Sequence, residues 1–347
     1  MPTAPAGPLT TALAGNPGGW PEELLPLFEK AITVEYASQT RAGSPVTFPL
    51  TPYVGEDGLT LDVSTGLTYP AKAERARRNP KVALLYSDAV GSGLAQAPVA
   101  LVQGLATVRD SDLQANTDRY VRLSMAKAPD AYKGQPKLLL RSVAWYYARI
   151  WIQVTPTRML WWPAGRLDEQ PQEWAAPAGM DVPASDPAPP GGQPPVAWLG
   201  ESGGWREAAE QAVRGFPFRD LTFIGADGFP MCLPVRDVLP DPSGFRLRAI
   251  RSPGATPEGP ACLTFHTHNP NFTTQQNRAF VGRLSPMDDG TLVFSVERLL
   301  GNWNISDNKL SFMFDFLFRM GRRLRPRLRT EATRRGQAVP KVRFPGE

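Results

Sequence analysis

The tripeptide Gly-Gly-Trp opens "GGWPEELLPLF" at residues 18 to 28 and returns in "GGWREAAEQAV" at residues 203 to 213, 185 positions later. Each copy leads into a Glu-bearing helical run and then into an apolar, strand-like run. With 347 residues, the chain is long enough for two units that each bury a core. The repeat therefore predicts two similar domains in tandem. Its 37 prolines bear on where they divide: residues 171 to 195 hold eight of them and almost no branched apolar side chains, the composition of a stiff linker.

Strand-like runs fill the first unit at 32–38, 45–54, 59–64, 81–87 and 99–108, rich in β-branched residues and separated by turn signals such as "RAGS" and "EDG". Pro49 and Pro52 mark an irregular or edge strand. Between the third and fourth runs, "YPAKAERARRNP" has the Ala, Glu and Arg content of a short helix, ended by Asn79-Pro80. A longer helix starts near Ser111 or Asp112, and the aromatic segment "VAWYYARIWIQV" leads to a last strand ending at Pro156. In the second unit "GFPMCLPVR" mirrors "GSPVTFPLT", "PACLTFH" mirrors "PKVALLY", and "FVGRLSP" mirrors "LVQGLATV". The expected fold is mainly β with short helices, in two tandem barrels. The divisions are a flexible leader (1–17), a first barrel (18–168), a linker (169–202), a second barrel (203–305), and an amphipathic helix with a basic tail (306–347).

The stretch "LDVSTGLTYPAKAERARRNPKVALLYSD", residues 61 to 88, resembles the flavin-binding split barrels related to pyridoxamine 5'-phosphate oxidase. The resemblance covers roughly residues 20 to 168 and, more faintly, 205 to 300. It implies split barrels that pair as an intrachain pseudo-dimer, with a cofactor between the halves, and either a monomer or a homodimer of such chains. It also implies roles for particular residues. Ser64, Thr65, Thr68 and Lys72 receive the cofactor's phosphate, backbone along Thr47, Phe48, Pro49 and Leu50 lines the flavin ring, and Trp162 and Arg166 close the site. A helix start with a cation and hydroxyls suits a phosphate dianion, because its backbone N–H groups and peptide dipoles add favourable potential. The family has Arg where Ala71 and Pro45 stand here, so either FMN or a deazaflavin (coenzyme F420) is implied. The second half has only "RSPGATPEG" where the Lys-bearing helix would lie, which implies one good site and one degenerate one.

On this reading the protein is an oxidoreductase that moves hydride between the cofactor and a small organic substrate, with the alternative of a non-catalytic flavin- or haem-binding module, or a barrel without its cofactor. Hydride chemistry belongs to the cofactor, so no catalytic side chain is named. Tyr69, Tyr86 and Arg41 are candidate substrate contacts. His266 and His268 in "FHTHNP" share a strand face and imidazole is a metal ligand, but no acidic or thiol group adjoins them in sequence. They are expected to line the pocket between the halves, with no metal, and haem is not expected.

Charge has to be divided to be read. From Arg319 onward ten Lys or Arg face Glu331 and Glu347, a local balance of +8, so the first 318 residues carry 28 basic against 31 acidic side chains, or −3. The basic character belongs to the tail, and no nucleic-acid partner is expected. The tail helix, 308–329, should dock its apolar face, Leu310, Phe314, Leu317 and Phe318, on the barrels. The arginines after Gly321 should stay solvated, and Pro326 should end the helix. Cys232 and Cys262 are too few for a disulfide framework and read as buried strand thiols. The chain opens without a charged, apolar leader and contains no apolar run of about 18 residues, so a cytoplasmic protein without a membrane span is expected.

Overall fold

The structure is a computed structural model that describes residues 15–192, 204–250, 254, 256–305 and 315–345. Most of the expected leader, residues 193–202 of the linker, Gly203 at the start of the second barrel, the proposed caps Ser306 and Asp307, and Leu310 and Phe314 lie outside the described residues, as do the side chains of Leu317 and Phe318.

The first half carries β1 (Val34–Gln39), β2 (Pro45–Leu50), β3 (Tyr53–Val54), β4 (Leu61–Gly66), β5 (Lys81–Tyr86), β6 (Val99–Arg109), β7 (Arg149–Trp162) and β8 (Gln172–Ala175). Its helices are α1 (Leu25–Lys30), α2 (Ala71–Arg78), α3 (Leu113–Lys127), α4 (Lys137–Ser142) and α5 (Ala144–Tyr147). The second half opens with α6 (Trp205–Gly215) and continues through β9 (Phe218–Ile224), β10 (Pro230–Asp241), β11 (Gly244–Ala249), β12 (Gly259–His268), β13 (Gln275–Pro286) and β14 (Leu292–Ile305). The chain closes with α7 (Gly321–Arg334).

Both halves have the same connectivity. The second is a closed barrel, β10-β11-β14-β13-β12-β9, and the first is a sheet in the order β2-β1-β5-β6-β7-β4-β3. β2 and β3 stand at opposite edges of that sheet but are one run of chain, interrupted at Thr51-Pro52 where Pro52 has no N–H to donate. Matching pairings make β1, β2, β4, β5, β6 and β7 equivalent to β9, β10, β11, β12, β13 and β14. The register carries equivalence to single residues. Ala37 pairs with Thr47 as Thr222 pairs with Cys232. Glu35 pairs with Leu85 as Asp220 pairs with Thr264. Glu35 and Asp220 are thus 185 positions apart, like Trp20 and Trp205, and the Gly-Gly-Trp repeat marks the true offset of the two halves.

A shared glycine follows the same rule. Gly104 and Gly282 each sit at a bulge, where a β-carbon would meet the backbone oxygen of Thr155 or Ser295 on the neighbouring strand. The bulge also explains why β7 does not end at Pro156. Gly104 pairs with Pro156 and Gln103 with Arg158, so the proline falls where the ladder is already interrupted, and the strand runs on to Trp162.

The halves pack as an isologous pair within one chain. β2 packs on β9, β12 and β13 while β10 packs on the equivalent β1, β5 and β6. At this seam Thr47 Oγ1 lies 2.7 Å from Thr222 Oγ1, Gln39 donates to Gly228 O at 2.7 Å, and Gln103 donates to Pro230 O at 3.0 Å. Cys232 and Cys262 are buried in β10 and β12.

Two stretches differ from expectation. Part of the proline-rich linker is laid against the first half: β8 pairs with β7, and Asp186 accepts the backbone N–H groups of Asp110 and Ser111 at 2.7 and 2.8 Å. The tail helix runs straight through Pro326, and its arginines are not all solvated. Leu324, Leu328 and Ala332 pack into the first core, Arg327 is buried, and Arg335 reaches Asp110 and Glu331, both at 2.8 Å. A proline inside a helix costs about 3 kcal/mol, which the burial of two leucines and these paired charges offsets. Among the described residues no helix is long and apolar enough to cross a membrane.

Candidate functional site

A cavity of about 750 Å3 lies where β2, β4, α2, α5 and β7 of the first half face β12, β13 and β14 of the second. Its local construction begins with β4, whose last residues Ser64 and Thr65 enter the turn before α2. The helix is short because Asn79, held extended before Pro80, ends it. Ala73 and Ala76 bury one face of α2 in the first core. That orientation leaves Lys72 and Arg75 on the cavity wall.

The cavity gathers cations. Lys72 Nζ lies 4.5 Å from the centre of the Phe48 ring. Burial first, then the charges of Arg75 and Arg149, pull its ammonium down to about 7. Arg149 stacks on Tyr120 and Tyr146 at 3.9 and 4.7 Å. Arg75 donates from Nε to Ser38 Oγ at 3.0 Å, and Arg327 from Nε to Thr68 O at 2.8 Å. Among the described residues, no carboxylate forms an ion pair with Lys72, Arg75 or Arg149. Buried charge of one sign is stabilised by a counter-charge, so this wall is built for an anion.

Of the residues predicted from sequence, Phe48, Pro49, Leu50, Ser64, Thr65, Thr68 and Lys72 line this one cavity. Thr65 and Thr68 already donate their hydroxyl protons, to Tyr69 O at 2.8 Å and Trp145 O at 3.3 Å. Thr47 faces the seam, bonded to Thr222, and is not on the wall. The structure does not bring Trp162 and Arg166 here either. Trp162 is buried in the second core, and Arg166 is exposed beside Glu169 at 3.1 Å. Tyr69 lines the cavity, while Tyr86 is buried in the first core and Arg41 is exposed.

Two tryptophans line the wall, Trp145 of α5 and Trp303 of β14. Val99 pairs with Trp162 as Asn277 pairs with Trp303, so the two are equivalent positions of β7 and β14. Arg298, equivalent to Arg158, lines the cavity with it. In an isologous pair a wall begun by one half is completed by the other, which is why Arg298 and Trp303 of β14 line this cavity while Trp162 of β7 does not.

His266 and His268 also line the cavity, and acids do adjoin them, contrary to the reading from sequence neighbours alone. His266 Nε2 lies 2.5 Å from Glu35 Oε1 and 3.7 Å from Asp220 Oδ2, and His268 Nε2 lies 2.6 Å from Asp88 Oδ2. Glu35, Asp88 and Asp220 are buried, on β1, just after β5 and on β9, far from the histidines in sequence. Burial, reinforced by Asp88, pushes the Glu35 carboxyl up to about 8, while the Asp88 contact raises His268 above the usual imidazole value despite its burial.

No known family profile matches the chain, and no curated protein does. Solved structures match parts of it. A structure described as an F420 reductase is 21% identical with a TM-score of 0.31, covering 40% of this chain and 98% of its own. A Clostridium acetobutylicum protein of the pyridoxinephosphate oxidase family is 15% identical with a TM-score of 0.30, covering 43% and 89%. HutZ, a heme storage protein from Vibrio cholerae, is 11% identical with a TM-score of 0.27, covering 39% and 87%.

Proposed function

We propose that the cavity between the halves holds a flat, anionic redox cofactor, FMN or a deazaflavin, and that the protein is an oxidoreductase acting on a small organic molecule. The observation that carries this reading is the wall itself: Lys72, Arg75 and Arg149 without carboxylate partners among the described residues, on a lining that also carries Phe48, Leu50, Leu300 and Trp303. The volume lies within the roughly 300–1,000 Å3 of small-molecule sites. Such a cofactor supplies a ring position that gives or accepts hydride.

The chain's own part is binding and exclusion of water. Lys72, Arg75 and the Ser64 hydroxyl would meet the phosphate, with Arg149 fixed for the same task by its two tyrosines. Phe48, Leu300 and Trp303 would flank the ring and keep the reacting edge dry. Because Phe48 comes from β2 and Trp303 from β14, both halves are needed for one site.

The test is a titration of the purified chain with FMN and with coenzyme F420, followed by absorbance and fluorescence, then anaerobic mixing with reduced nicotinamide. One equivalent bound with a perturbed spectrum and reduction of the bound ring supports the enzyme. Binding without any reduction supports the non-catalytic alternative. Absence of stoichiometric binding of both cofactors overturns the proposal.

A further inference from the structure

Glu35 and Asp220 are the same position in the two halves, and the internal pairing of the barrels brings them together. Ser87 and His266, equivalent in the register of β5 and β12, complete the group. None of the four carboxylate oxygens of Glu35 and Asp220 meets full hydrogen-bond geometry among the described residues, although both side chains are fully buried; His266 Nε2, 2.5 Å from Glu35 Oε1, and Ser87 are the donors beside them. Burying an ionised carboxylate costs several kcal/mol unless something positive faces it. A single imidazole between two such groups is insufficient, and Asp88 adds a third acid nearby.

We propose that Glu35, Asp220 and His266 form a binding site for one divalent transition-metal ion of the manganese-to-zinc series, on the seam between the barrels. One ligand atom from each of the three lies within 4.8 Å of the others. An ion with bonds of about 2.1 Å holds its ligand atoms within about 4.2 Å of one another, so small side-chain rotations close the shell. Two carboxylates and one imidazole, without a thiol, select borderline ions.

Outer contacts fit the same assignment. Asp88 Oδ2 lies on the Nδ1 side of His266 at 4.0 Å and is held by His268 Nε2 at 2.6 Å. A carboxylate on that side favours the tautomer that turns the Nε2 lone pair toward Glu35 and Asp220. Phe218 stacks on the imidazole at 5.2 Å and 21°. His266 and His268 line the large cavity, which gives an ion an entry path.

The full-length chain, stripped with a chelator, is titrated calorimetrically with Zn(II) and Mn(II), and separately with Co(II), whose visible absorption reports the donor set. One ion per chain is expected, with Co(II) bands of a mixed oxygen and nitrogen site. His266→Ala should weaken binding at least tenfold, and Asp88→Asn about tenfold through the outer contact. Absence of stoichiometric heat and of Co(II) bands in the unmodified chain overturns the proposal and leaves the two carboxyls sharing protons instead. Unchanged affinity in folded His266→Ala also overturns it, because the ion then lies elsewhere. The experiment on the unmodified chain decides the matter even where a variant fails to fold.

Discussion

Lys72→Arg separates a phosphate ligand from a bystander because the two side chains titrate differently. The Lys72 ammonium is held down to about 7, so above that pH it must take up a proton to face a dianion. Each pH unit above 7 costs up to about 1.4 kcal/mol for as long as the proton is retained in the complex. From pH 7, where about half of the ammonium is protonated, to pH 9, where about one part in a hundred is, the affinity of the unmodified chain for FMN should therefore fall by up to about 50-fold, or about 2.3 kcal/mol. The phosphate contributes no slope in that window, since its second pKa lies near about 6. Arginine stays charged throughout, so Lys72→Arg should show a nearly flat profile, and Lys72→Ala a flat one that is weaker at pH 7 by about 1.5–3 kcal/mol. Quenching of flavin fluorescence at pH 7, 8 and 9 measures all three. If the unmodified chain and Lys72→Arg lose affinity in parallel, or neither does, Lys72 does not meet the phosphate.

The other predictions concern which half supplies what. Trp303→Ala should weaken cofactor binding while Trp162→Ala should lower stability by about 3–5 kcal/mol and leave affinity per folded molecule unchanged; denaturant melts with matched titrations test the split, and equal loss of affinity in both would refute it. Leu324→Ala should cost about 2–5 kcal/mol and expose α7 to protease, since Leu324 is fully buried in the first core; unaltered cleavage and stability would show the helix is not docked there. Gly104→Ala and Gly282→Ala should each destabilise by more than about 1 kcal/mol in urea, because both β-carbons meet a neighbouring carbonyl oxygen, and tolerance of either would contradict the bulge geometry.

What the sequence disclosed follows from how local each signal is. The strands and α2 were legible because period, turn residues and Asn79-Pro80 act within a few positions. The continuation of β7 beyond Pro156 was not, because it depends on a bulge opposite, at Gly104 on another strand. The tail helix was misread at Pro326 for a similar reason: local propensity condemns the proline, and only docking of Leu324 and Leu328 and the pairs of Glu331 and Asp110 overrides it. At the site, residues of β4 and α2 were legible together because one motif, residues 61 to 88, spans them, while those of β2 came only with the family resemblance. Trp303 and the acids around His266 arrive from other strands, and their pairing partners are visible only once register is known.

The pairing of unequal halves explains why one chain carries both barrels. In a dimer of identical barrels every residue near the twofold appears twice, so an imidazole placed beside the paired carboxylates would bring a second imidazole with it. Here Ser87 occupies the position equivalent to His266, and a single histidine faces Glu35 and Asp220. The same asymmetry operates at the large cavity. α2 with Lys72 belongs to the first half, so only Trp303, on β14, faces a lysine-bearing helix, while its counterpart Trp162 packs into the second core. Each half thus contributes different chemistry to a shared seam, and a symmetric assembly of either half alone could not set a single imidazole beside the paired carboxylates.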